Sequence, residues 1–228
     1  MEGSKMSRTL ITNQRYIQIA FNHSATDVLR ILPNIPYDPR VIIEAGTPFI
    51  KREGIAGIRL IRRLWQGLLV ADLKVTDGAY EEVKFAHASG ANAVTAAGTA
   101  PTETLDFFNE ICERNGLLSM IDMLGQENPL RKLQPLKFKP KAVVIHKGRD
   151  EEINPRSIIR YKDINKVRSK YGVFISVAGG LDHDSVRKAY FNGADIAVLN
   201  IVKSSDENKG LVDTVNFRSL IPSILKEV

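Results

Sequence analysis

ADLKVTDGAYEE, residues 71–82, carries Asp72, Lys74 and Asp77 within six positions of one another, directly after the apolar run GLLV. Charges that follow an apolar run persist in a buried setting only when they are paired or bound to something. A solvated loop with an incidental ion pair meets that condition, and so does a cluster gathered around a ligand at the end of a buried strand. The period of two along a strand points to the cluster. Asp72 and Lys74 share one side, and Leu69, Ala71 and Leu73 take the other. Asp77, three residues after Lys74, falls in the next loop or the first helical turn.

Other apolar runs also close on polar residues: Asn22 after IQIAF, Glu44 after VII, Thr95 in AVT, Asp122 after LSMI, His146 after AVVI, and Asn200 after IAVL. Glu44 and Asp72 on neighbouring strands suit a hard divalent cation, Mg2+ completed by water and substrate oxygens. Lys74 beside carboxylates stays protonated and can hold or deliver a proton, and His146 titrates near neutrality as a second acid–base group. The Gly179-Gly180 pair in SVAGG, ahead of a helix starting near Asp182, offers backbone N–H groups to a phosphate. Each residue also has a structural reading, His146 as a hydrogen-bonded core histidine and the glycine pair as a turn. His23, His87 and His183 read as surface or capping residues, and Trp65 and the phenylalanines as core or helix-packing groups.

Elements that would hold such a cluster are legible in the spacing of apolar runs. Strands are expected near 16–21, 41–44, 68–73, 92–96, 117–122, 142–146, 173–178 and 195–199, with amphipathic stretches between them. TETLDFFNEICERNG opens after Pro101 and stops at Gly116, DHDSVRKAYFNG stops at Gly193, and LVDTVNFRSLIPSILKEV predicts a C-terminal helix. Two helix-to-strand joints, SGANAVTAAG and NGADIAVLN, are near copies, as a reused βα unit would give. Eight strands alternating with helices predict an α/β fold, a single (β/α)8 TIM barrel over residues 1–228, with 1–14 as a disordered N-terminal extension. In such a barrel the C-terminal strand ends, where the polar residues fall, form the active-site face. No GxGxxG follows the first strand, against a dinucleotide-binding alternative.

Composition narrows the function classes. One cysteine in 228 residues, Cys112, excludes a disulfide framework or cysteine-rich zinc site and suits a reducing cytoplasmic setting. No apolar run approaches the roughly 18 residues of a membrane span, and MEGSKMSRT lacks the apolar core of a signal peptide. The net charge of +6 is scattered rather than striped with aromatics, so a basic surface or an anionic small-molecule substrate is expected, not nucleic acid or membrane.

DLKVTD fits D-x-K-x-x-D, and IEAGTPFIKREG, ASGANAVTAAG, IDMLG, VVIHKGRDEE, VAGGL and GADIAVL follow at similar spacing. The chain resembles the orotidine 5′-monophosphate decarboxylase superfamily from QIAFN to about Lys203. It is most similar to the branch holding 3-hexulose-6-phosphate synthase and 3-keto-L-gulonate-6-phosphate decarboxylase. The resemblance implies a Mg2+-binding pair in Glu44 and Asp72, a catalytic-site lysine in Lys74 and a proton-transfer histidine in His146. It makes Asp77 the aspartate that reaches a neighbouring subunit's site, hence a homodimer with shared active sites. Asn22, Asp122, Arg149, Gly179, Gly180 and Asn200 fall at substrate-binding positions, Arg149 being more decarboxylase-like than synthase-like. The implied chemistry is that of a lyase acting on a sugar phosphate. A Mg2+-stabilised enediolate, made by decarboxylation or deprotonation, is trapped by a proton or by formaldehyde.

Two positions depart from the family pattern. Asn22 stands where strand one ordinarily ends in Asp. Leu199-Asn200 stands where the strand-eight phosphate cup reads Gly-Gly or Gly-Arg, so a leucine is expected where backbone should approach an anion, with Lys203 as a compensating point charge. The aldol reaction of formaldehyde with ribulose 5-phosphate leads the expectations. A decarboxylase or aldolase with a different, unphosphorylated substrate and a non-catalytic binding barrel are the alternatives. Orotidine 5′-monophosphate decarboxylase itself fits less well, because Leu68 stands four residues before Asp72 where that branch carries a lysine.

Overall fold

The computed structural model describes residues 9–154 and 156–227. Eight strands form within a few residues of where the apolar runs predict them: β1 Tyr16–Phe21, β2 Val41–Ala45, β3 Leu68–Val75, β4 Ala93–Ala97, β5 Leu118–Asp122, β6 Ala142–His146, β7 Phe174–Ala178 and β8 Ile196–Val202. They pair in parallel in sequence order, and β1 pairs with β8 to close the ring. Helices α1 Ala25–Ile31, α2 Thr47–Leu64, α3 Ala79–Ala88, α4 Thr102–Arg114, α5 Pro129–Leu133, α6 Lys162–Tyr171, α7 His183–Phe191 and α8 Phe217–Lys226 alternate with the strands. This is the predicted (β/α)8 barrel. No described helix is long and apolar enough to cross a membrane.

Alternation along each strand divides the core in two. Ile17, Ile19, Ile43, Leu69, Ala71 and Leu199 face the helices, while Tyr16, Ala20, Ile42, Val70, Met120 and Val198 fill the lumen. The glycine-stopped helices end as their sequences require: α4 gives way to Gly116 at φ +66°, and α7 opens on a reciprocal capping box between Asp182 and Ser185.

Three features differ from expectation. Leu211 and Val212 do not start the last helix. They form a short strand, β9, beside Ile201 and Val202, where free backbone at the extended end of β8 offers them ladder partners. The helix begins only after Asn216, whose side chain caps the Arg218 N–H. Residues 10–14 are no loose extension: Ile11 N–H donates to the Tyr16 hydroxyl at 2.7 Å, and Leu10 packs on the inner core; residues 1–8 lie outside the described residues. Phe85, Phe107, Phe138 and Phe191 are exposed, although Phe21, Phe49, Phe108, Phe217 and Trp65 are core as expected.

β3 contains an irregularity that matters for the site. Ala71 pairs with Val94, yet Val75 pairs with Ala96, so β3 spends two more residues than β4 over that stretch. The slack is taken up at Lys74, whose φ of +48° is left-handed, a conformation a non-glycine residue holds only under constraint from its surroundings. Because the excess is two residues, Leu73 and Val75 stay on the outer side with Leu69 and Ala71.

α2 bends at Gly54 (φ +60°, ψ −154°), a backbone region essentially closed to other residues. The bend leaves Phe49 ahead of it and Ile58 and Ile61 behind it all buried against the barrel. No atom would obstruct an added Cβ there, so Gly54→Ala isolates the backbone cost. It is expected to lower unfolding free energy by about 1–3 kcal/mol in a denaturant titration, with the fold retained.

Candidate active site

A cavity of about 640 Å³ opens at the C-terminal strand ends and draws residues from all eight strands or the loops that follow them. Its floor is a chain of ionisable side chains, Asp72 and Asp122 buried and Lys74 and His146 half-buried. Lys74 Nζ lies 3.0 Å from both Asp72 oxygens and 2.6 Å from Asp122 Oδ2. Asp122 also faces His146 Nδ1 at 2.8 Å and accepts the Leu124 N–H at 3.0 Å. Asp72 is further held by the Thr95 hydroxyl at 2.7 Å and the Thr47 hydroxyl at 2.7 Å. Thr95 also accepts the Lys74 N–H at 2.9 Å, which ties the left-handed residue to β4.

Burial and charge act in opposition here. Burial works against the Lys74 ammonium, but Asp72 and Asp122 outweigh it and raise its pKa, so Lys74 is a fixed cation. Burial would raise Asp122, yet His146 and Lys74 hold it well below the usual carboxylate range. Burial would lower His146, and Asp122 overrides it and raises the imidazole. Glu44 goes the other way: burial first, and Asp72 second, push its carboxyl up to about 7. Its oxygen accepts a hydrogen bond from Gln18 Nε2.

Among the described residues no group of three or more His, Cys, Asp or Glu side chains is placed to hold a metal. Glu44 and Asp72 both line the cavity and both offer carboxylate oxygen. An all-oxygen set containing one carboxylate short of positive charge fits a hard, water-rich ion such as Mg2+ and not a soft one.

Of the residues singled out in the sequence, Asn22, Glu44, Asp72, Lys74, Asp122, His146, Arg149, Gly179 and Asn200 line the cavity. Asn22 Nδ2 donates to Asn200 Oδ1 at 3.0 Å, joining the first and last strands at the mouth. Gly180 sits outside, where an added Cβ would meet the Glu152 carboxylate at 3.1 Å. Asp77 is exposed on the surface beyond β3, away from this cavity. The concern over Leu199 is corrected: it points into the outer core and is fully buried, because parity sends Asn200, not Leu199, to the lumen. Strand eight is also covered differently from an open cup, with Gly210 approaching the Asn200 carbonyl so closely that an added Cβ would lie 2.3 Å from it. Sequence reasoning missed Thr47 and Gln18. Gln18 was findable, as the one polar residue inside IQIAF and in phase with Asn22.

A family model described as "Orotidine 5′-phosphate decarboxylase / HUMPS family" matches residues 15–208. The chain belongs to this family. Relatives include the bifunctional enzymes Fae/Hps of Methanocella arvoryzae, 36% identical over 86% of this chain, and Methanothrix thermoacetophila, 35% over 84%. The chain spans about half the length of these curated relatives, 50% and 49%. Among solved structures, 3-hexulose-6-phosphate synthase from Salmonella typhimurium superposes with a TM-score of 0.76 at 22% identity, covering 93% of this chain and all of that one. KGPDC from Streptococcus mutans, solved as a ligand complex, gives 0.73 at 19%, covering 93% and 98%. Both likenesses carry the fold.

Glu44 yields a pH prediction. Its folded pKa of about 7 exceeds the ordinary 4.5, so its contribution to stability is present below pH 4.5 and is lost as pH rises through 7. In metal-free buffer Glu44→Gln is therefore expected to be more stable than the native chain at pH 8, on the order of 2 kcal/mol. Thermal melts should show the gap closing towards pH 4.5.

Proposed function

We propose that this chain is a Mg2+-dependent carbon–carbon lyase that joins formaldehyde to ribulose 5-phosphate, the 3-hexulose-6-phosphate synthase reaction. The observation that carries this reading is the line Asp72–Lys74–Asp122–His146, which sets a fixed cation and an imidazole on either side of one carboxylate on the floor of the cavity. Membership of the family and the naming of the relatives as Fae/Hps support it.

His146 has Nδ1 committed to Asp122, which leaves Nε2 as its proton-exchanging atom. Raised by Asp122, the imidazole is a competent base for the proton on C1 of the ketose phosphate and returns a proton to the product alkoxide. The C1 carbanion form of the enediolate adds to the formaldehyde carbon, and the carbonyl π pair becomes that alkoxide. Lys74 lies where negative charge develops and balances it without a change of protonation. Mg2+, when bound at Glu44 and Asp72, supplies further electrophilic stabilisation of that charge. Asn22, Asn200 and Arg149 line the walls as hydrogen-bond partners for substrate hydroxyls and phosphate, and Gly179 brings backbone close to the anion. A decarboxylase reading within the same family rests on Arg149, which lines the cavity.

Formaldehyde consumption with ribulose 5-phosphate tests the reading directly. Turnover is expected to need Mg2+, to stop with EDTA and to fall at least ~10³-fold in Lys74→Ala. Removing Lys74 leaves two buried carboxylates without their cation, so the variant's melting curve must accompany its rate. Consumption that persists without either metal or Lys74 would sink the proposal.

The same reading makes the protein a homodimer with Asp77 serving the partner's cavity. Asp77 shares a surface groove with Tyr80, Glu103 and Phe107, and Tyr80, Phe85 and Phe107 present large apolar surface to solvent from α3 and α4. Phe107→Glu should yield monomers in sedimentation and cost most of the activity. A native chain that sediments as an active monomer would overturn the shared site.

A further inference from the structure

Gln18 is the deepest polar side chain of the cavity for which the proposed chemistry has no use. It is 3% exposed, it lines the cavity, and its side chain projects from the middle of β1 between the apolar lumen residues Tyr16 and Ala20. One half of its amide has a partner: Nε2 donates to Glu44 Oε2. The other half has none. Oε1 is shut off from solvent and makes no hydrogen bond among the described residues. An amide oxygen buried without a donor forfeits its hydration uncompensated, and such atoms in folded proteins mark water, an ion or a ligand.

The surroundings select among these. Glu44, bonded to the same amide, is a buried carboxylate with no ion-pair partner among the described residues, and Asp72 lines the same cavity. The Lys74 ammonium serves Asp72 and leaves Glu44 without a cation, and a hydrated divalent ion brings water O–H donors along with its charge. We propose that Gln18 is a positioning residue of the cation site. Its Nε2 fixes the Glu44 carboxylate, and its Oε1 accepts a hydrogen bond from a water in the shell of the bound ion. Oxygen acceptors that hold shell waters shape Mg2+ and Mn2+ sites, because these small ions keep several waters. The inference rests on the Mg2+ reading above and adds a third side chain to it. It also explains why a single amide interrupts an apolar strand.

Mn2+ binding, read by electron paramagnetic resonance of the free ion in the absence of any sugar phosphate, separates the outcomes. Gln18→Met keeps the side-chain length and removes both polar halves, and it is expected to weaken Mn2+ at least tenfold while the metal-free melting temperature does not fall. Gln18→Glu keeps an oxygen acceptor but loses the donor to Glu44, and it is expected to bind Mn2+ at least as tightly as the native chain. Equal weakening in both variants would reduce Gln18 to a brace for Glu44 and overturn the acceptor role. Native affinity in Gln18→Met would overturn any role. A native chain that binds no Mn2+ at all, while Glu44→Gln changes nothing, would overturn the cation reading itself.

Discussion

The ammonium of Lys74, wedged between Asp72 and Asp122, is the interaction on which the rest of the site depends. Without it the barrel would hold two buried carboxylates next to a third, Glu44, an arrangement that a low-dielectric interior does not sustain. Its position is not free. Lys74 reaches both partners because β3 bulges, because its own backbone is left-handed, and because Thr95 on the neighbouring strand holds its N–H. Local strain on one strand is thus exchanged for electrostatic balance across three. The asymmetry of the neighbouring acidic and basic groups follows: Asp122 is held well below the usual carboxylate range and the His146 imidazole is made more basic, whereas the Glu44 carboxyl, buried and facing Asp72, is pushed up to about 7.

Most of the architecture was legible in the sequence because parallel strands buried on both faces write themselves as unbroken apolar runs. The strands fell within a few residues of expectation, and the polar residue closing each run reached the lumen in almost every case. What the sequence hid was anything set by pairing across space. The bulge in β3 has no local signature, since DLKV reads as ordinary alternation whether or not the neighbouring strand keeps pace. β9 was invisible for the same reason: Leu211 and Val212 are apolar enough for a helix start, and only the free edge of β8 makes them a strand. The exposed phenylalanines of α3 and α4 were read as core or helix-packing groups because composition cannot say which surface a helix turns outward.

Within the site, residues at strand ends were found and those inside strands or beyond helix starts were not. Leu199 shows how a motif comparison goes astray by one position. Aligned as part of a cup it implied an obstruction, while parity along β8 places it among the helices and sets Asn200 at the mouth, bonded to Asn22 across the closure of the ring. The two departures from the family pattern, Asn22 and Asn200, are therefore partners of one another. A neutral amide pair replaces whatever charge and openness the family pattern has at that seam.

The two-residue surplus in β3 has a further consequence. A strand behaves like a reading frame with a period of two: one added residue would turn everything beyond it inside out, sending Leu73 and Val75 into the lumen and Lys74 among the helices. An even surplus shifts the reach of the strand without changing which residues it shows to which side. Strand lengths at this rim can thus be edited only in pairs if the ammonium is to stay over the floor of the cavity. An odd insertion or deletion between Ala71 and Val75 is closed to this chain, however conservative the residues involved.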